Sequence, residues 1–137
     1  MRVFQNTLRI LGVAVIGVAL IHIILGPSAE VLFGSSISPS SIADPTIDSQ
    51  NRFYGAAFAL YGGVFLLSST DVPRYRQLLF IGFGIFFAAG LSRIVSIVVT
   101  GWPPLPVLGL AVVELAGPPL MAYWLVRVLR RSTQAVR

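Results

Sequence analysis

The sequence predicts an all-α integral membrane protein with a bundle of four transmembrane helices. Of its 137 residues, 55% are hydrophobic and only 11% are charged, whereas charged residues make up about a quarter of a typical soluble domain. The mean hydropathy is +0.84. Four apolar segments are each long enough to cross a bilayer core of about 30 Å at about 1.5 Å per residue. A single four-helix transmembrane domain is therefore expected to occupy residues 1–137.

The first predicted span covers about residues 8–26. It follows Arg2 and Arg9 and ends beside the small residues Pro27-Ser28-Ala29, so it also imitates a secretory signal peptide. The apolar stretch of a signal peptide is only about 7–15 residues long, whereas this stretch has the length of a full span. We therefore interpret it as a transmembrane helix.

The segment 27–51 is the longest connection of the chain. It carries three carboxylates and many serines, which favours an aqueous loop. Residues 30–34 are expected to form a short helix at the membrane interface. Asp48 or Ser49 is expected to cap the second span, because a side-chain oxygen can accept hydrogen bonds from the free N–H groups of a first helical turn.

The other spans are predicted at residues 52–69, 78–100 and 105–126. The connection 70–77 is short and contains two arginines, and the last connection is the tight Gly101-Trp102-Pro103-Pro104. Such short connections require neighbouring spans to run antiparallel.

Arginines predict the orientation, because cytoplasmic loops of membrane proteins carry an excess of basic residues. All ten basic residues are arginines, and eight lie at span ends on one side, against Arg52 on the other. Both termini are therefore predicted to be cytoplasmic and segment 27–51 external, in the inner membrane of a bacterium. The eight are Arg2, Arg9, Arg74, Arg76, Arg127, Arg130, Arg131 and Arg137.

Composition also argues against several kinds of function. The chain has no cysteine, which excludes disulfides, cysteine-ligated zinc and a thiol nucleophile. One histidine and one buried carboxylate do not make a metal site, so no metal or other cofactor is expected. The positive charge follows the membrane topology and forms no basic face with interleaved aromatic residues, which argues against a nucleic-acid partner.

Small residues predict where the helices touch. Gly55, Ala59 and Gly63 recur every four residues on the second span, and Gly84 and Ala88 do so on the third. Small residues at this spacing let helix backbones approach closely in lipid. We expect these faces to pack the four helices together, and a seam between copies of the chain is the alternative.

Glu114 is the most unusual residue, because it lies within the apolar run 107–125. Ionisable residues at membrane depth usually have a partner or a function. Arg93 lies seven residues from the outer end of its span, as Glu114 does from Val107, which places both at roughly 10 Å depth. The two are predicted to pair, with Ser96 and its neighbour Ser92 as further hydrogen-bonding groups.

Pro118 and Pro119 follow Glu114 in the same span. Neither has an N–H group for the carbonyls of Glu114 and Leu115, so a kink is predicted there, either fixed or acting as a hinge.

Other polar residues are predicted in the same outer half of the membrane: His22, Asn51, Arg52 and Tyr54. We expect them to converge with Arg93, Ser96 and Glu114 beneath the external loop. Each also has a structural interpretation. Arg93 and Glu114 can simply fix helix register, His22 can be a hydrogen-bonded interfacial residue, and Arg52 can reach the interface or bind a lipid phosphate.

Three polar motifs carry a resemblance to a known family: Asn51-Arg52-Phe53-Tyr54-Gly55-Ala56, the run from Gly90 to Ser96 with the later Gly101 and Pro103, and Glu114-Leu115 before the prolines. With them the chain, over about residues 8–130, resembles the bacterial membrane proteins grouped as domain of unknown function 4345. The resemblance implies a similar length and four helices, and it implies no known activity.

The function favoured by these residues is binding of a lipid or amphiphile, or an accessory role in a larger membrane complex, through the outer polar site. The bilayer itself is the first partner, and a homo-oligomer stays open. The alternative is a small isomerase-like membrane enzyme acting on an isoprenoid or sterol-like lipid, with Glu114 as the catalytic acid or base. A proton-coupled transporter, working as an oligomer, is a third hypothesis.

Overall fold

A computed structural model describes the backbone of residues 1–134 and the side chains of residues 1–131. Four of its helices are long and apolar enough to cross a membrane, which confirms the all-α class and the predicted number of spans. Arg137, which the predicted orientation also counts, lies outside the described residues. The described helices are α1 (Arg2–Leu25), α2 (Ser28–Leu32), α3 (Pro39–Ile42), α4 (Pro45–Thr70), α5 (Arg76–Thr100) and α6 (Leu105–Gln134).

The four long helices alternate in direction, so the chain has two ends. The start of α1, the 71–75 connection and the end of α6 lie on one side, here called the terminal side. Segment 26–44 and the 101–104 connection lie on the other, here called the loop side. The prediction that the terminal side faces the cytoplasm rests on the arginines.

Helix α4 begins at Pro45, seven residues before the predicted span. Asp44 is the cap: its Oδ1 atom accepts hydrogen bonds from the backbone N–H groups of Thr46 at 2.8 Å and Ile47 at 3.1 Å. Pro45 occupies the first turn, where a missing N–H group costs nothing. The predicted cap at Asp48 or Ser49 was wrong, and the longer helix places Asp48, Asn51 and Arg52 on the same turns.

The long helices form two close pairs, α1 with α4 and α5 with α6. Glycines bring α1 and α4 together. A Cβ atom at Gly62 would lie 2.7 Å from the carbonyl oxygen of Gly12, and a Cβ atom at Gly55 would lie 3.0 Å from that of Ala19. The close approach that small residues predict for the second span is therefore present.

The predicted glycine face was wrong at Gly63, where an added Cβ atom would meet nothing within 4 Å. Gly62 takes its place. At about 100° per residue, seven residues from Gly55 leave a rotation of about 20°, whereas eight leave about 80°. Gly84 also meets nothing, and Ala88 is exposed. The close approach of α5 occurs instead at Gly90.

The apolar core that joins the two pairs lies in the terminal half of the bundle. All four long helices and the 71–75 connection contribute to it, and the rings of Phe4 and Trp124 meet edge to face with centroids 5.0 Å apart. On the loop side, segment 26–44 reaches across to the start of α6, where Gly34 lies against Pro106. The buried core residues are Phe4, Leu8, Phe65, Val72, Leu79, Phe83 and Leu125.

Candidate functional site

Arg93 on α5 and Glu114 on α6 form a two-pronged ion pair. The Nε atom of Arg93 donates to Oε2 of Glu114 at 2.6 Å, and its Nη2 atom donates to Oε1 at 3.0 Å. Glu114 is 5% exposed. The geometry confirms that these residues are partners, and paired guanidinium and carboxylate groups of this kind make strong, directional hydrogen bonds.

Gly90 explains why the two side chains can reach each other. It lies one turn before Arg93, and a Cβ atom there would stand 2.9 Å from Cγ of Leu115 and 3.1 Å from the carbonyl carbon of Glu114. The missing side chain therefore lets the α6 backbone approach α5 beside the ion pair. A side chain at this position would require Leu115 or the α6 backbone to shift.

The Nη1 side of the Arg93 guanidinium group has no hydrogen-bond acceptor among the described residues and is here called the open edge. An arginine carries five N–H groups, and the hydrogen bonds to Glu114 use Nε and Nη2. Across the described residues, no acceptor contacts Nη1, and 35% of the side chain is exposed. The hydrocarbon core of a bilayer contains no water, so an unpaired N–H group there needs an acceptor on another molecule.

The neighbouring serines do not fill this edge. Ser92 donates to the carbonyl oxygen of Ala89 at 2.7 Å. Ser96 lies beside Thr100, with 3.4 Å between the hydroxyl oxygens. No described hydrogen bond joins either hydroxyl to Arg93, and their part as further hydrogen-bonding groups stays a prediction.

The helix passes Pro118 and Pro119 without a break, since α6 runs from Leu105 to Gln134. Pro118 is buried and Pro119 is exposed. The carbonyl groups of Glu114 and Leu115 still lack their usual helical donors, because proline has no N–H group. A kink or hinge at this point stays a prediction.

A second polar group lies where α1, α2 and α4 meet. The Oε1 atom of Glu30 is 3.4 Å from Nε2 of His22 and accepts a hydrogen bond from Nδ2 of Asn51 at 3.5 Å. The ring of His22 also stacks on Phe33, with centroids 5.6 Å apart. Asn51 and His22 are therefore brought together by Glu30, which the sequence suggested only as a loop carboxylate.

The tautomer of His22 follows from its other contact. Its Nδ1 atom is 2.9 Å from the carbonyl oxygen of Val18, and a carbonyl can only accept, so Nδ1 carries a hydrogen. Nε2 then attracts the carboxylate of Glu30 only when it is also protonated. His22 and Glu30 thus connect α1 to α2.

Arg52 caps the C-terminal end of α1. Its Nη1 atom donates to the carbonyl oxygens of Ile23 at 2.6 Å and Ile24 at 3.1 Å, while Nε and Nη2 bind the two carboxylate oxygens of Asp48. The last carbonyl groups of a helix otherwise lack partners and favour a cation. These contacts favour a structural role for Arg52 over lipid-phosphate binding.

Family comparison adds one finding. The family described as Domain of unknown function (DUF4345) matches residues 3–125. The chain belongs to this family. No match was found among the curated proteins or among the solved structures. Membership agrees with the four-helix fold and assigns no reaction or ligand.

The predicted convergence of all seven polar residues is only partly seen in this member of the family. No described hydrogen bond, ion pair or ring contact links the Arg93–Glu114 pair to the group around Glu30. Tyr54 is 62% exposed and contacts the ring of Phe53. It therefore faces outward. The polar residues thus form two groups, one on each helix pair.

Sequence reasoning missed a groove on the terminal side. It has a volume of about 500 Å³ and is lined by Met1, Val3, Phe4, Trp124, Val128 and Arg131. Arginines and aromatic residues near the end of the fourth span were visible in the sequence, but only as orientation and interface signals. Which of them line a common surface depends on how α1 packs against α6.

Proposed function

We propose that this protein binds the polar group of a lipid or similar amphiphile at the Arg93–Glu114 pair, in the loop-side half of the membrane. The open Nη1 edge of Arg93 is the observation that carries the proposal. Glu114 holds the guanidinium in place by two hydrogen bonds. The remaining N–H groups are thereby presented at a fixed position to an acceptor outside the chain.

The surroundings of Arg93 favour an amphiphile over a small polar ligand. Leu91, Ile94 and Val95 on the adjoining turns are all exposed apolar side chains. In a bilayer they would contact acyl chains. A ligand with an apolar body and one hydrogen-bond acceptor satisfies both the apolar surface and the open N–H groups. A carbonyl, hydroxyl or phosphate oxygen would provide that acceptor.

The geometry gives less support to an enzyme that uses Glu114 as its acid or base. A catalytic acid needs a proton to give, whereas both oxygens of Glu114 accept hydrogen bonds from a permanently charged group. The pair would have to open before proton transfer. Ligand binding requires no such step, so it remains our conclusion.

Lipid binding at this site can be tested with Arg93→Lys. Lysine can still neutralise Glu114, but it cannot hold the carboxylate at two points and also present a second nitrogen. After purification in mild detergent, native mass spectrometry should show about a tenfold loss of the co-purifying amphiphile. Arg76→Lys, which makes the same change at an exposed position on the terminal side, is the matched control.

Two results would redirect the proposal. An unchanged set of bound lipids in Arg93→Lys and wild type would exclude Arg93 as the binding group. Loss of a co-purifying protein, with the lipids unchanged, would instead identify the open edge as a contact for a larger membrane complex.

A further inference from the structure

The terminal side of the bundle carries a groove with a mixed lining. Val3, Trp124 and Val128 give it an apolar wall beside the buried ring of Phe4, and Arg131 adds a positive charge. Its volume of about 500 Å³ lies within the roughly 300–1,000 Å³ typical of sites for small ligands. A groove with these walls can accept an apolar chain next to an anionic group.

A second depression adjoins the groove and extends its positive charge. It measures about 260 Å³, shares Trp124, Val128 and Arg131 with the groove, and adds Tyr123 and Arg127. The Nη2 atom of Arg127 donates to the hydroxyl oxygen of Tyr123, and its guanidinium carbon lies 5.0 Å from the centre of that ring. The tyrosine therefore holds Arg127 beside the depression.

The arginines at this end lack acidic partners within the described residues. The described ion pairs all lie toward the loop side, at Glu30, Asp48 and Glu114. Asp71, on the terminal side, uses its carboxylate to accept a hydrogen bond from the backbone of Arg74. No described hydrogen bond or ion pair occupies the guanidinium group of Arg131, which is exposed. The positive charge is thus available to an external anion.

We propose that this groove binds an anionic phospholipid from the leaflet on the terminal side. Part of an acyl chain would lie against Val3, Trp124 and Val128, and the phosphate would contact Arg131 and Arg127. Arginine recognises phosphate oxygens with paired N–H groups, and basic residues at the end of a span attract anionic lipids. The site uses residues remote from Arg93 and Glu114, so it does not depend on the function proposed for them.

A free phosphate compound would satisfy only part of this surface. A soluble anion would leave the apolar wall uncovered. An acyl chain would cover it, and burial of apolar surface away from polar groups is favourable. The groove also lies where a span leaves the membrane, and tryptophan and tyrosine prefer that depth. Both facts favour a phospholipid as the occupant.

The test compares two arginines that differ in position and little else. The full-length protein is placed in nanodiscs of phosphatidylcholine with about one fifth phosphatidylglycerol, and the bound lipid is counted by native mass spectrometry after ejection. Arg131→Gln should lower retained phosphatidylglycerol about tenfold. Arg130→Gln removes a neighbouring charge that lines neither cavity and should change retention by less than about twofold.

A third variant tests the apolar wall without changing charge. Val128→Trp places a bulky side chain in the groove and should also reduce retention. Equal losses in Arg130→Gln and Arg131→Gln would show a diffuse attraction and overturn the site. Retention that does not distinguish phosphatidylglycerol from phosphatidylcholine would overturn the choice of an anionic lipid.

Discussion

At the scale of single residues, Arg52 and Arg93 differ in how many of their hydrogen-bond donors have partners. Arg52 uses its donors on Asp48 and on the end of α1, so its contacts account for its presence near the membrane surface. Arg93 binds Glu114 and keeps an open edge. The number of unused donors therefore distinguishes a structural arginine from a candidate binding residue.

A double-mutant cycle should reveal coupling within the Arg93–Glu114 pair. Glu114→Leu is expected to be more destabilising than Arg93→Leu, because a lone guanidinium stays charged whereas a lone carboxyl group can take up a proton. The double substitution should recover part of the loss, with a coupling free energy of about 1 kcal/mol or more. Unfolding in mixed micelles measures all four proteins.

The cycle also distinguishes a purely structural ion pair from a ligand-binding site. Simple addition of the two losses would mean that the pair contributes no coupling to stability. If the double variant regains stability but binds no amphiphile, then the charges serve binding as well as folding.

At the scale of the helices, close packing depends on which glycine faces the neighbour. Gly12 and Gly62 place the backbones of α1 and α4 in contact, and Gly90 does the same for α5 and α6. Without a hydrophobic drive between helices in lipid, such close van der Waals contact holds a pair together. The adjacent Gly62 and Gly63 therefore have different importance.

Replacing Gly62 by Leu should destabilise the bundle by about 1–3 kcal/mol or more, the usual cost of overpacking a close contact. An added Cβ atom would already lie 2.5 Å from Cγ1 of Ile16. Gly63→Leu is the matched control, since its Cβ atom would meet nothing within 4 Å. Thermal unfolding in detergent compares them, and equal tolerance of both substitutions would contradict the packing.

At the scale of the whole molecule, the two helix pairs are held together mainly in the terminal half of the bundle. The shared apolar core lies in the terminal half, while the loop-side half relies on the two helix pairs and on contacts of segment 26–44, such as Glu30 with His22 and Asn51. Regions with fewer buried apolar contacts open at lower free-energy cost. The loop-side half is therefore where movement to admit a ligand is expected.

The orientation of the whole molecule can be measured by thiol labelling. With no native cysteine in the chain, Ser40→Cys reports the loop side and Pro73→Cys reports the terminal side. If the excess of arginine faces the cytoplasm, a membrane-impermeant reagent on intact cells should label the first and spare the second. The opposite result would invert the predicted orientation and move the phospholipid groove to the other leaflet.

The sequence was sufficient for the number of long helices and for the pairing of Arg93 with Glu114. Apolar length predicts four spans, because a bilayer of fixed thickness leaves few alternatives for the backbone. Arg93 and Glu114 could be paired because adjacent antiparallel spans place residues of equal depth side by side. Motifs around Asn51, Arg93 and Glu114 pointed to the family to which the chain belongs.

Only the tertiary structure decided which surfaces meet. Helix rotation decides that Gly62 packs against α1 and Gly63 does not. Contacts between distant segments bring Glu30 to His22 and Asn51 and form the groove between α1 and α6. Spacing along one helix fixes a face only relative to that helix, since a rotation about its axis leaves its hydrogen bonds unchanged. Packing against other helices determines which face becomes a site.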